Sequence, residues 1–335
     1  MDNNKKYTFK DFQSDQEVRW CPGCDDYVIL RAIQKALPEM GHKKEDFVFV
    51  SGIGCSSRFP YYVDTYGMHT IHGRATAIAT GVKLANKDLS VWVATGDGDA
   101  MAIGGNHFIH LIRRNLDINI VLFNNEIYGL TKGQFSPTSL IGQKTKTSPY
   151  GNIQPPFNPG ELALGSSARF FARVPGNLPK EMIKLFIEAE KFKGTALIEV
   201  LQNCVIFNDG CYNHFTDKSV KDEQQLYVEH GKPMIFGKKK DKGLVLDGFK
   251  LKVVNIGEDG ITEDDILVHD AHEEDNTLHN MLVKLKAPVV TGIIRAVEDK
   301  TYEDRDTALV ETVKAQTTFK SVDDLFFSGE TYEVK

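Results

Sequence analysis

The sequence predicts an α/β protein with a doubly wound, mostly parallel sheet and a C-terminal extension. Two observations carry that reading. Short apolar runs rich in β-branched and aromatic residues occur at 47–50, 91–95 and 118–123, the texture of parallel strands buried on both faces. Segments with helical periodicity alternate with them, and such alternation builds doubly wound sheets.

In chain order, a first helix is expected over 27–37, ended by Pro38. The strand 47–50 follows, then a helix over 75–85, the strand 91–95 and a helix over 106–114. In that helix Phe108, Leu111 and Ile112 share one face. The strand 118–123, a strand at 169–174, a helix at 180–192 and a strand at 196–201 continue the pattern. Residues 133–160 interrupt it with Pro137, Pro149, Pro155, Pro156 and Pro159. An irregular loop of that length is expected to be a lid, a partner-binding loop or a plain surface excursion. From about residue 212 charged and turn residues become frequent, with short strands at 250–254, 266–268 and 289–294. The expected organisation is therefore a cofactor-binding domain at 1–210 and an extension at 211–335 that packs on the core or on a partner.

Composition narrows the function. The 335 residues are 41% hydrophobic and 26% charged, ordinary for a globular chain. A net charge of −6 gives no reason to expect nucleic-acid binding. The basic run Lys238-Lys239-Lys240 is diluted by acidic neighbours and reads as a solvated loop. Residues 1–19 are polar, unlike a secretory signal. No apolar run approaches the ~20 residues that span a bilayer. A cytoplasmic protein without membrane contact is expected. Five cysteines in such a chain point to metal or redox duty before disulfides.

Gly96-Asp97-Gly98-Asp99 follows the strand 91–95, and Asn124-Asn125 follows the strand 118–123. One βαβ crossover thus brings Asp97 and Asn125 to the same C-terminal sheet edge, where open α/β sheets bind ligands. A carboxylate and an amide carbonyl are hard oxygen donors suited to magnesium, which also takes phosphate oxygens. Gly96 and Gly98 let the backbone approach phosphates closely. The helix N-terminus after Gly104 is expected to add N–H donors for an anion.

The cysteines follow the same logic. Cys21-Pro-Gly-Cys24 sits at a helix start, Cys55 just beyond the strand 47–50, and Cys204 just beyond the strand 196–201. A parallel sheet would bring all four to the edge that carries Asp97. Four thiolates can hold a [4Fe–4S] cluster or a tetrahedral zinc, and the residues alone leave both open. His107 and His110 share a helix face at i, i+3; metal binding there competes with amphipathic packing and solvent contact.

The Gly-Asp-Gly and Asn-Asn block resembles the signature of thiamine-diphosphate enzymes. With Trp20-Cys-Pro-Gly-Cys24, Gly52-Ile-Gly-Cys-Ser-Ser-Arg58 and His72-Gly-Arg74 in this order, the chain looks like the β subunit of 2-oxoacid:ferredoxin oxidoreductases. The resemblance implies a thiamine-diphosphate-binding fold. It implies magnesium held by Asp97, Asn125 and the carbonyl of Ile127, and a [4Fe–4S] cluster on Cys21, Cys24, Cys55 and Cys204. Cys211 has no counterpart and reads as a free thiol.

The cofactor-contact positions carried over are Cys55, Ser56, Gly96, Asp97, Gly98, Asp99, Asn125, Ile127, Leu130 and Thr131, the last two at the thiazolium side. Arg58 matches a basic position near the substrate carboxylate, and an arginine can pair with a carboxylate bidentately; a structural role is the alternative. His72 is implied near the cofactor, or is a hydrogen-bonded structural residue. With Phe59-Pro-Tyr-Tyr62, Arg58 looks most like the 2-oxoglutarate branch. The implied reaction is oxidative decarboxylation of 2-oxoglutarate to succinyl-CoA, using coenzyme A and passing electrons to ferredoxin. A larger α subunit supplies the glutamate that activates the aminopyrimidine. Pyruvate or a branched-chain 2-oxoacid as substrate, a non-redox thiamine-diphosphate lyase or synthase with structural zinc, and a non-catalytic binding subunit are the alternatives.

Overall fold

The computed structural model describes residues 6–334; residues 1–5 and 335 of the two expected segments lie outside the described residues. Regular structure starts with helix α1 (Asp26–Ala36), strand β1 (Phe47–Ser51), helix α2 (Phe59–Tyr62), strand β2 (Tyr66–His69) and helix α3 (Ala75–Ala85). Strand β3 (Ser90–Gly96) runs into helices α4 (Asp97–Met101) and α5 (Gly105–Arg114), then strand β4 (Ile118–Asn124). After an irregular stretch come α6 (Pro159–Gly165), β5 (Phe170–Pro175), α7 (Pro179–Lys191) and β6 (Ala196–Leu201). The remainder forms α8 (Asn213–Thr216), α9 (Lys221–Gln224), β7 (Gln225–Val228), β8 (Ile235–Phe236), β9 (Lys242–Asp247), β10 (Lys250–Asn255), α10 (Thr277–Lys284), β11 (Val289–Ala296), α11 (Tyr302–Gln316) and α12 (Val322–Phe326).

Eight strands form one sheet in the order β2-β1-β3-β4-β6-β5-β11-β7. Every pairing is parallel except β11 with β5. Successive residues of a strand face opposite sides, and β1 shows the consequence. Val48 and Val50 join one core with Phe108, Leu111 and Ile112 of α5. Phe47 and Phe49 join the other, with Ile29 and Ile33 of α1 and Leu185 and Phe186 of α7. Helices therefore cover both faces, as the alternation predicts.

One expectation is corrected: residues 266–268 form no strand, and Val268 makes only an isolated bridge to Pro233. The residues after 211 contribute β11 and β7 to the main sheet past β5. Val290 and Ile294 are fully buried there, and the pairing satisfies a β5 edge that would otherwise present unpaired backbone groups. β8, β9 and β10 form a separate three-stranded antiparallel sheet. Among the described residues no helix is long and apolar enough to cross a membrane.

The chain leaves β1 towards β2 on one side and β3 towards β4 on the other, so β1 and β3 flank the topological switch point where such sheets open a crevice. Phe108 lies fully buried beneath this region. Phe108→Ala should lower the unfolding free energy by about 3–5 kcal/mol, measured by urea denaturation followed by circular dichroism.

Candidate active site

A cavity of about 490 Å³ opens at the switch point, within the range of small-molecule and cofactor sites. Its walls come from the loops after three strands. Ile53, Gly54, Cys55 and Ser56 follow β1; Gly96, Asp97, Gly98 and Asp99 end β3 and start α4; Asn125, Ile127, Leu130 and Thr131 follow β4. His72 and Asp26 complete one side. Every residue carried over as a cofactor contact lines this cavity, as does His72, whereas Arg58 does not. The Arg58 Nε instead donates to the Tyr62 hydroxyl at 2.7 Å.

Asp99 ties the walls together. Its Oδ1 accepts from the N–H groups of Ile53 (3.1 Å) and Gly73 (2.7 Å) and lies 2.5 Å from Nδ1 of His72. Its Oδ2 accepts from the Thr95 hydroxyl at 2.8 Å. Two glycines follow from this knot. A Cβ on Gly52 would lie 1.9 Å from Asp99 Oδ2, and one on Gly98 would lie 2.3 Å from the Tyr128 ring. The Tyr128 hydroxyl donates to the Gly98 carbonyl at 2.9 Å.

Asp97 is 2% exposed and has no cationic side chain bonded to it among the described residues. Its side-chain partners are the hydroxyls of Ser136 and Thr138, each 2.5 Å from Oδ2. Burial pushes its carboxyl up to about 6 despite these donors. A buried carboxylate in that condition is suited to a hard cation. Asn125 sits on the same wall, its Oδ1 accepting from the Ile127 N–H at 3.2 Å. The short helix α4 begins at Asp97 itself. Gly104, before the helix expected to offer N–H donors to an anion, is not among the cavity's lining residues; it packs against Gly73.

The thiols gather on the side of the cavity that Cys55 and Gly129 line. A Cβ on Gly129 would lie 3.5 Å from the Cys55 sulfur and 3.6 Å from that of Cys204. Cys24 interacts electrostatically with Cys55 and Cys204, and Cys55 with Cys21. Burial pushes the Cys24 and Cys211 thiols up, and Cys55 up to about 12. All five cysteines are free. Among the described residues no three His, Cys, Asp or Glu side chains converge on one metal ion, and this includes His107 and His110. The four thiols share a neighbourhood without meeting at a point.

Sequence reasoning missed several groups. Ser136 and Thr138 lie in a loop that carries no motif. Asp26 lines the cavity, and burial lifts its carboxyl to about 7. Glu126, between Asn125 and Ile127, has a left-handed backbone (φ 56°) and a carboxyl lifted by burial to about 8. Its place inside the Asn-Asn block was the available signal.

Fold and cavity define the class. Residues 52–200 match the family described as thiamine pyrophosphate enzyme, C-terminal TPP binding domain. The 2-oxoglutarate oxidoreductase subunit KorB of Mycobacterium tuberculosis is 51% identical over 299 residues, covering 88% of this chain and 79% of that protein. The 2-oxoglutarate synthase subunit KorB of Archaeoglobus fulgidus is 47% identical over 185 residues, covering 55% of this chain and 69% of that protein. A solved 2-oxoglutarate:ferredoxin oxidoreductase from Magnetococcus marinus, with 2-oxoglutarate, coenzyme A and succinyl-CoA bound, superposes with a TM-score of 0.79 at 30% identity, covering 97% of both chains. The chain belongs to the KorB family of 2-oxoglutarate oxidoreductase subunits.

Four carboxyls raised by burial, those of Asp25, Asp26, Asp97 and Glu126, set a pH dependence. A group protonated in the folded chain but ionised in the unfolded one costs stability as pH rises from the unfolded to the folded value. Without cofactor, the melting temperature should therefore fall between pH 4.5 and about 8. Glu126→Gln should flatten that fall in a thermal melt series; an unchanged slope would show that Glu126 is not held protonated.

Proposed function

We propose that this chain is the thiamine-diphosphate and [4Fe–4S] binding β subunit of a cytoplasmic 2-oxoglutarate:ferredoxin oxidoreductase that forms succinyl-CoA. The observation that carries the proposal is the cavity at the β1/β3 switch point, where a buried carboxylate without a cationic partner meets glycine-bounded backbone. Asp97, the Asn125 amide oxygen and the Ile127 carbonyl would hold magnesium, and the backbone around Gly96 and Gly98 would receive the diphosphate. Bound there, thiamine diphosphate supplies the electron sink that lets a 2-oxoacid lose carbon dioxide.

The chain's own groups orient and exclude. Asp99 holds His72 against the cavity wall, and Leu130 and Thr131, which line the same cavity, would contact the thiazolium ring. Arg58, two residues beyond cavity-lining Ser56, supplies a cation for the substrate carboxylate once released from Tyr62. Cys21, Cys24, Cys55 and Cys204 would hold the cluster, which supplies one-electron transfer towards ferredoxin. Cys55 and Cys204 both lie beside Gly129, and Cys24 is coupled electrostatically to both, which supports one shared site for the thiols.

The chain needs a larger subunit for the activating glutamate. Exposed apolar side chains support a face for it. Tyr66 (66%) and Ile71 (73%) lie on and beside the uncovered edge strand β2, close to His72. Tyr150 and Ile153 tip the proline-rich loop, and Leu325 and Phe326 lie in the C-terminal arm, all exposed.

The decisive experiment is anaerobic purification of the complex, with iron and sulfide analysis, EPR after dithionite, and a panel of 2-oxoacids. About four irons and four sulfides per chain, a reduced-cluster signal and preference for 2-oxoglutarate are expected. Zinc without a signal would sink the redox reading, and preference for pyruvate the substrate. Separately, Asp97→Ala should abolish cofactor retention, read as thiamine diphosphate content after gel filtration; normal content would refute the metal role.

A further inference from the structure

The irregular stretch 133–158 is fastened to the body by a buried polar circuit that starts at Asp97. Ser136 and Thr138 are 3% exposed each, and both hydroxyls reach Asp97 Oδ2. Thr138 also lies 3.0 Å from Asn124 Oδ1. The single Thr138 proton thus has two acceptors within reach, Asp97 and Asn124, and Ser136 donates to Asp97. The next residue, Ser139, donates to the Glu126 carbonyl at 2.5 Å. One short segment of the loop therefore grips both the Gly96–Asp99 wall and the Asn125–Ile127 turn.

The far end closes the same circuit. The Asn124 amide donates to Glu199 at 2.8 Å, and Glu199 accepts from Arg173 Nε at 2.7 Å. The Arg173 guanidinium reaches Asn158 Oδ1 at 3.2 Å, and that oxygen also caps α6 through the Gly160 N–H. Midway, Asn152 is 2% exposed, and its amide bridges the Ser139 and Gln154 carbonyls. The part between is open: Lys144 and Lys146 are exposed.

We propose that Ser136 and Thr138 are positioning residues for the metal-binding carboxylate of Asp97, and that loading this site with magnesium and a diphosphate fixes the loop 133–158. The inference rests on the reading of Asp97 as a magnesium ligand. Both side-chain partners of Asp97 come from the loop and add to the N–H groups of Asp97 and Gly98 at its own helix start, so the loop's conformation helps to set the carboxylate's placement. Coupling between two equilibria is reciprocal: a ligand that requires Asp97 in this pose stabilises the loop conformation that provides it. Hydrogen bonds to a charged group are also the stronger kind, and an unmade buried one is costly.

The test uses the full chain, trypsin, and magnesium with thiamine diphosphate. Cofactor binding is measured by titration calorimetry on the same samples. Saturating cofactor should slow cleavage at Lys144 and Lys146 about tenfold in the wild type, the scale of one charge-assisted hydrogen bond. Thr138→Val should weaken binding about tenfold or more and remove the protection at saturation. Thr138→Ser restores the hydroxyl and should restore both. If Thr138→Val does not fold, Ser136→Ala serves, with the same loss of binding expected. Wild type that binds cofactor yet is cut at the unchanged rate overturns the coupling alone. Valine and alanine variants that bind like wild type overturn the positioning role. Wild type that binds no cofactor overturns the magnesium reading and this inference with it.

Discussion

Two buried carboxylates, Asp97 and Asp99, stand two residues apart on one short helix, and the site follows from how differently burial treats them. Burial of a charge must be compensated by hydrogen bonds or an opposite charge. Asp99 receives four such contacts, from Ile53, His72, Gly73 and Thr95. They join the loop after β1, the end of β3 and the approach to α3. Asp97 receives two side-chain hydroxyls from one distant loop and backbone N–H groups at its own helix start, and its carboxyl still rises. One carboxylate ties the walls together; the other has no cationic partner among the described residues. Gly52, Gly73 and Gly104 serve the first task, because a Cβ on any of them would collide with Asp99, with residues beside it or with each other.

The regular elements of the first 201 residues were legible because their buried strands are apolar on both faces. Helix 75–85 and strand 196–201 fall on α3 and β6 without adjustment. Strand β2, Tyr-Gly-Met-His, escaped notice because it is exposed at all four positions, and an uncovered edge strand needs no apolar pattern. Residues 266–268 misled for the opposite reason. Ile266 is apolar and buried, but it packs over Gly243 from a turn. The cavity walls were legible from motif spacing across one βαβ unit. The hydroxyls of Ser136 and Thr138 were not, since a contact across 39 and 41 positions through an irregular loop leaves no periodic trace.

The cysteines were legible as a group, though only as far as topology allows. Strand ends at one sheet edge bring Cys55 and Cys204 to either side of Gly129. Gly129 runs close beside both sulfurs, a neighbourhood that its place after Tyr128 does not announce. Four thiols at one sheet edge match the ligand count of a tetrahedral ion and of a cluster alike.

The proposed position of the larger subunit follows from what this chain leaves unfinished. Sheet edges are normally paired, covered or blunted by charge. At the β7 end two of the four side chains, Leu226 and Val228, are buried in the core. At the β2 end the side chains Tyr66 and Met68 stand in solvent, followed by Ile71 and then His72 of the cavity wall. Apolar side chains that adjoin a cofactor cavity in this way mark an interaction face more often than a solvated one. A subunit seated there would close the side of the cavity that His72 borders. On the proposed function, an acid supplied by the larger subunit would reach the cofactor from that side. The uncovered edge and the proposed need for that acid would then have one cause: the chain would build the half of the active site that holds metal and diphosphate, and its exposed border is where the other half would fit.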